Sequence, residues 1–148
     1  MAYWWVSQNK THHEEKNGGY LWAPKNTKSG KNIYHWDTMK DVRKGDIIFS
    51  YFRQYIVAYS IAQGNAYDSN NPFRDAGETW EINGRKIDAS YTNLLRPIYI
   101  PDILAELQDI LIKQGAHKPL NVNGTGNQGY LFPLIDEAGK YLLSKCDK

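Results

Sequence analysis

The sequence predicts an α+β fold, with a closed or covered sheet such as a small β-barrel and helices packed outside it, and three observations carry that expectation. Residues 45–62, GDIIFSYFRQYIVAYSIA, are the densest run of β-branched and aromatic side chains, too long for one strand and broken at Arg53-Gln54 by consecutive long polar residues. The two antiparallel strands this implies are apolar on both faces. Ile47, Phe49 and Tyr51 oppose Ile48, Ser50 and Phe52 in the first arm, and Tyr55, Val57, Tyr59 and Ile61 oppose Ile56, Ala58, Ser60 and Ala62 in the second. Such a hairpin belongs inside a closed or covered sheet. Finally, Pro101 opens a stretch with Ile103, Leu104, Leu107, Ile110 and Leu111 on one stripe, as an amphipathic helix laid on a sheet requires.

Taken in order, residues 3–7 read as an opening strand, and residues 8–29 as a polar segment holding the island Tyr20-Leu21-Trp22-Ala23-Pro24. Gly18-Gly19 and Pro24 bracket that island, which makes it a short extended piece with its aromatic away from the core centre. Trp36-Asp37-Thr38-Met39 suggests a short helix capped by Asp37. Gly45-Asp46 turns the chain into the central hairpin, whose own turn at Arg53-Gln54 lacks the Gly or Asn that a tight two-residue turn prefers.

Residues 63–77 form a long polar loop, a length that is usually functional or disordered. Residues 79–82 and 85–90 flank Asn83-Gly84, a hairpin signal. Residues 94–100 read as a further strand placed at an edge by Pro97. Gly115 ends the Pro101 helix, residues 121–129 (NVNGTGNQG) form a second flexible loop, and residues 136–144 close the chain as a helix burying Ala138, Leu142 and Leu143.

At 148 residues the chain is expected to be one domain, residues 1–148, with a core large enough to need no metal or disulfide. Mean hydropathy is −0.64, and no apolar run approaches the roughly 20 residues of a membrane span. The N-terminus lacks the basic region of a signal peptide. The single cysteine, Cys146, excludes an internal disulfide and fits a cytoplasmic protein.

Net charge is +2, with lysines concentrated in the first fifty residues. Lys10, Lys25, Lys28 and Lys31 are therefore the candidates for following a phosphate backbone.

No nucleophile elbow, Walker loop, dinucleotide fingerprint or zinc spacing occurs, so catalysis, a cofactor and a metal are not expected within these residues. His12-His13-Glu14-Glu15 reads as a solvated loop. What stands out is aromatic residues around a small barrel: Trp22, Trp36, Tyr34, Tyr59 and Tyr67. Flat apolar faces with polar edges hold an unstacked nucleobase by stacking and by hydrogen bonds to its edge. Trp22 is the first candidate for the stacking ring and Trp36 the second.

The run from Trp36 to Tyr51, WDTMKDVRKGDIIFSY, resembles the EVE domain pattern, in which a Met-Lys approach leads through Gly-Asp to an apolar strand ending in an aromatic. Ile56-Val57-Ala58 and the following Ala66-Tyr67-Asp68 resemble that family's second strand and its aspartate loop, without the family's proline between the tyrosine and the aspartate. Ile87-Asp88 to Pro97-Ile98, the Pro101 helix and Gln128-Gly129-Tyr130-Leu131-Phe132-Pro133-Leu134 follow in the same order. The resemblance spans Tyr3 to Leu143.

It implies the PUA-like fold shared with ASCH and YTH domains, a mixed, partly closed barrel, and recognition of a modified base flipped into an aromatic pocket. The insert GGYLWAPK looks like that of the readers in modification-dependent restriction enzymes, which are fused to an HNH nuclease or a McrB-type GTPase. The implied partner is double-stranded DNA carrying a C5-modified cytosine, 5-methylcytosine or 5-hydroxymethylcytosine. An N6-methyladenine reader and an RNA-binding PUA or YTH relative are the alternatives.

The expected pocket comprises Trp22, Trp36, Tyr34, Ser50, Tyr59, Tyr67, Asp68, Asn123 and Asn127. Asp68 is placed to accept from the cytosine amino group, and Asn123 or Asn127 to add an amide from the opposite loop.

Overall fold

The computed structural model describes residues 1–9, 11–26, 31, 33–70, 72 and 83–146. Strands β3 (Ile47–Phe52) and β4 (Tyr55–Ala62) are the expected central hairpin, paired from Ile47 opposite Ile61 to Phe52 opposite Tyr55. Arg53 and Gln54 turn it with φ of 48° and 73°, the left-handed geometry that Gly and Asn usually supply.

On one side of the hairpin, β1 (Tyr3–Ser7) lies parallel to β3 and antiparallel to β7 (Leu131–Leu134). On the other, the seventeen-residue β6 (Asn83–Tyr99) pairs with β4 and carries β2 (Tyr20–Pro24) and β5 (Tyr67–Asn70). The order β2-β6-β4-β3-β1-β7 is a mixed sheet, and its two ends meet. The backbone N–H of Trp22 in β2 donates to the hydroxyl of Tyr130, the residue before β7, at 3.2 Å. The sheet is therefore curled into a half-barrel with a seam between β2 and the approach to β7.

Two apolar clusters occupy the faces of this sheet, and β1 feeds both: Tyr3 and Trp5 enter one, Trp4 and Val6 the other. That is why a run of large apolar residues opens the chain without alternation. The first cluster is covered by α3 (Ile100–Leu111), through Ile100, Leu107 and Leu111, and by α4 (Asp136–Lys145), through Ala138 and Leu142. The second is closed by a 3₁₀ turn (Thr38–Asp41) that follows α2 (Tyr34–Asp37) and contributes Met39.

Several expectations are corrected. Residues 12–15 are not a solvated loop: α1 (His12–Gly18) buries His12 and Glu15. A helix whose inward residues are polar carries no hydrophobic periodicity to read. Trp22 is not at the periphery but fully buried: β2 pairs with β6, and the indole reaches across to the Ser69 carbonyl of β5.

Asn83-Gly84 does not turn a hairpin; both residues are in β6, opposite Asn70 and Ser69. Gly84 makes room for Trp22, since a Cβ there would lie 2.3 Å from Cζ2 of the indole. Residues 67–70, expected in a loop, form β5 by pairing with β6. Asp37 ends α2 and stands at the N-cap position of the 3₁₀ turn, but its side chain makes no capping hydrogen bond and pairs instead with Lys40 at 3.1 Å.

Pro97 sits where the register of β6 against β4 jumps, between Asn93 opposite Ala58 and Ile98 opposite Ile56. It is also beyond the residues that β2 and β5 cover, so its missing N–H disrupts no ladder. No helix among the described residues is long and apolar enough to cross a membrane.

Candidate binding cavity at the barrel seam

Where the two ends of the sheet approach, a cavity of about 600 Å³ opens between β2, α2 and residues 126–130. That volume is in the range of small-molecule and nucleobase-sized pockets. Trp36, Tyr51, Tyr130 and His35 supply ring surface, while Ser7, Asn9, Thr11, Asn127 and Gln128 supply uncharged polar groups. Among the described lining residues none is Asp, Glu, Lys or Arg. A lining of this kind suits a flat, neutral ligand with hydrogen-bonding edges.

Each wall is held by identifiable contacts. Trp36 is half-buried and packs its inner side on the second apolar cluster. Thr38 anchors the end of α2 by donating its hydroxyl to the Leu131 carbonyl at 2.9 Å. Tyr34 stacks on His117 with ring centroids 3.7 Å apart, clasping α2 to the segment after α3.

The opposite wall is an ordered loop. Asn121 Oδ1 accepts from the N–H groups of Asn123 and Thr125 at 2.9 and 3.1 Å. Asn127 donates its backbone N–H to Pro119 and its Nδ2 to Lys118, both at 2.7 Å, so its side-chain nitrogen is committed to the loop. Asn9 has the reverse polarity, because its Oδ1 accepts from the Arg53 N–H at 3.0 Å.

His35 occupies space that only a glycine at 129 leaves. Gly129 has φ of 150°, and a Cβ there would stand 2.5 Å from the imidazole. Burial, and then the neighbouring His117, push the His35 pKa below its ordinary value, which keeps the ring neutral near pH 7.

Behind the cavity wall lies a buried polar network centred on Glu15. Its Oε1 accepts from Thr11 Oγ1 at 2.7 Å and from Gln8 Nε2 at 3.1 Å. Its Oε2 accepts from the Trp22 N–H at 2.8 Å and from the Tyr130 hydroxyl. Gln8 also donates to Tyr91, whose hydroxyl donates to the Tyr20 carbonyl.

Burial raises the Glu15 pKa to about 7, while the four hydrogen bonds pull it down. Tyr130 is pushed well above its usual value, chiefly by burial and then by the charge on Glu15. Thr11 and Tyr130 belong to both network and cavity, so the carboxylate that ties the seam also holds two lining residues.

Of the residues expected in the pocket, the structure brings Trp22, Trp36 and Asn127 to the cavity. Trp22 has no exposed face and donates its indole N–H to the Ser69 carbonyl at 3.0 Å. It is part of the supporting wall, and Trp36 is the ring that faces the opening.

Tyr34 lies outside the lining, engaged with His117. Ser50 is buried in β3, and Tyr59 packs against the first cluster. Asn123 is exposed on its loop.

Tyr67 and Asp68 are on the outer part of β5, away from the cavity. Tyr67 donates to Asp88 at 2.7 Å. Asp68 pairs with Lys25 at 2.8 Å, and that hydrogen bond and charge lower its pKa. The salt bridge compensates one of the four candidate phosphate-binding lysines, Lys31 is exposed, and Lys10 and Lys28 lie outside the described residues.

Reasoning from sequence missed Asn9, Thr11, His35, Tyr51, Gln128 and Tyr130. The sequence Gln128-Gly129-Tyr130 before a buried strand was the available sign.

No protein-family model matches the chain, and no curated protein matches it in sequence. Solved structures do match in fold. The human THYN1 protein in complex with 5-methylcytosine containing DNA superposes with a TM-score of 0.63 at 16% identity, over 100% of this chain and 99% of that one. Rpa0253 from Rhodopseudomonas palustris gives 0.58 at 19%, over 98% and 92%. The DUF55 domain of human thymocyte nuclear protein 1 gives 0.55 at 16%, over 97% and 98%. The α+β half-barrel is thus the PUA-like fold.

Proposed function

We propose that this chain binds DNA containing a modified base, with a C5-modified cytosine turned out of the duplex into the seam cavity. The observation that carries the reading is the composition of that cavity: rings from Trp36, Tyr51 and Tyr130 beside the neutral amides of Asn9, Asn127 and Gln128. A structure of the same fold, aligned over nearly all of both chains, holds 5-methylcytosine DNA. Trp36 stacks on the base. Asn127, with its nitrogen committed to Lys118, offers an oxygen to the cytosine amino group, and Asn9 offers its Nδ2 to the ring acceptors. Lys25, Lys31, Lys10 and Lys28 are the proposed phosphate contacts.

The reading extends to the specificity module of a modification-dependent restriction system, acting with an HNH nuclease or a GTPase. Its support is the likeness of GGYLWAPK to the corresponding insert in such readers. The chain's part in this is recognition and not cleavage.

The test is titration of one sequence as duplex with 5-methylcytosine, 5-hydroxymethylcytosine, N6-methyladenine or no modification, and as RNA, followed by fluorescence anisotropy. Tighter binding to a cytosine-modified duplex than to all others is expected. Equal affinity for modified and unmodified duplex ends this reading. Preference for RNA or methyladenine replaces it with the corresponding alternative.

A further inference from the structure

The β3–β4 turn stands at the edge of the cavity, and holding a base inside uses neither of its exposed side chains. Arg53 and Gln54 both keep left-handed backbone conformations, which long L side chains rarely adopt. They persist there because the turn is pinned from several directions. The Arg53 N–H donates to Asn9, a cavity residue, at 3.0 Å, and the Gln54 carbonyl accepts from the Ile100 N–H at 2.9 Å. The Arg53 guanidinium lies 5.0 Å from the centroid of the Phe52 ring, which stacks with His12 at 4.8 Å. Tyr51, two residues earlier, is itself cavity wall.

A duplex that has surrendered one base has a hole in its stack and an unpaired partner base. Filling that hole favours a planar, charged side chain on a rigid support, because little order remains to be lost on entry.

We propose that the Arg53-Gln54 turn enters the duplex beside the cavity, with the Arg53 guanidinium filling the gap left by the extruded base and donating to its orphaned partner. The proposal rests on the reading of the cavity as a base pocket. Its chemistry is that of a guanidinium lying in the gap and donating to O6 and N7, the acceptors on the major-groove edge of the orphaned guanine. Gln54 flanks the same gap. The tie through Asn9 couples the turn to the wall that holds the base.

The experiment compares the wild-type chain, Arg53→Ala and Arg53→Lys on one 5-methylcytosine oligonucleotide, single-stranded and as duplex, with 2-aminopurine beside the modified base. Circular dichroism and melting confirm that the variants fold. For Arg53→Ala, duplex affinity should fall about tenfold or more, and the fluorescence rise on unstacking should shrink. Single-strand affinity should stay within about twofold, since a single strand has no gap to fill.

Lysine should not restore the duplex, because it supplies charge without the planar fork. Equal losses on both strands, full rescue by lysine, or no loss at all would overturn the proposal and make Arg53 a phosphate contact or a bystander. A wild-type chain that fails to distinguish modified from unmodified duplex removes the base-pocket reading first, and this proposal with it.

Discussion

The hydroxyl of Tyr130 donates to the buried carboxylate of Glu15, joining α1 to the approach of β7 across 115 positions of sequence. With the Trp22 N–H on the same oxygen, it closes a barrel whose edge strands share no ladder. Seam stability and cavity shape consequently depend on the charge of one side chain.

Glu15 has a pKa raised from 4.5 to about 7, so between those values the folded chain holds a proton that the unfolded chain has lost. Stability attributable to Glu15 is then greatest in acid and falls as pH rises through the window, by roughly 3 kcal/mol. His12 acts in the opposite sense. Burial lowers its pKa to about 4, and its contribution is lost as pH falls from 6.5. Urea unfolding of wild type and Glu15→Gln from pH 4 to 8 separates the two, because the difference curve should slope downward toward pH 7. A flat difference would contradict it.

Tyr130→Phe removes a hydrogen bond that holds the Glu15 pKa down. The upper end of the same pH window should move above 7, and stability near neutrality should drop by about 1–3 kcal/mol. The pH profile of Tm for the variant reads both effects.

The two candidate tryptophans should behave oppositely. Trp36→Ala is expected to cost about 1–3 kcal/mol in binding modified DNA with a modest change in melting. Trp22, fully buried, should cost about 3–5 kcal/mol of stability on truncation. Melting and anisotropy on each variant decide; the reverse pattern would exchange their roles.

Gly129→Ala places a methyl group 2.5 Å from the His35 ring at a φ that alanine disfavours. The imidazole or the loop must yield, at about 1–3 kcal/mol, and ligand affinity should fall with stability. Tm and binding measured together should move in the same direction.

Asp68→Asn removes an exposed partner of Lys25. Melting should be unchanged, and the freed ammonium should strengthen binding to modified and unmodified duplex alike, more at low salt. Loss of discrimination by this variant would return Asp68 to the recognition site.

The parts of the fold that hydrophobic pattern specifies were legible: β1, the β3–β4 hairpin, and α3 with its stripe from Ile103 to Leu111. Helix α1 was not, because the residues it buries are His12 and Glu15, and their partners come from positions as distant as Tyr130. Asn83-Gly84 misled for a related reason. Glycine there relieves a contact with Trp22, which is a tertiary fact with no local trace. Of the cavity, Trp36 and Asn127 were readable as an aromatic near a helix and an amide in a loop. Asp68 looked suitable as an acceptor by type, yet β5 carries it to the outer surface, where Lys25 meets it.

The cavity's rings and amides come mostly from outside the ladder, on α2 and on the loop before β7, while the sheet registers are set by other residues. Cavity lining and sheet are therefore encoded in largely separate positions, and on the proposed reading the scaffold is readily reprogrammed. Randomising Trp36, Asn127 and Gln128, with Glu15, Trp22 and Tyr130 held constant, should yield folded variants that differ in the base they accept.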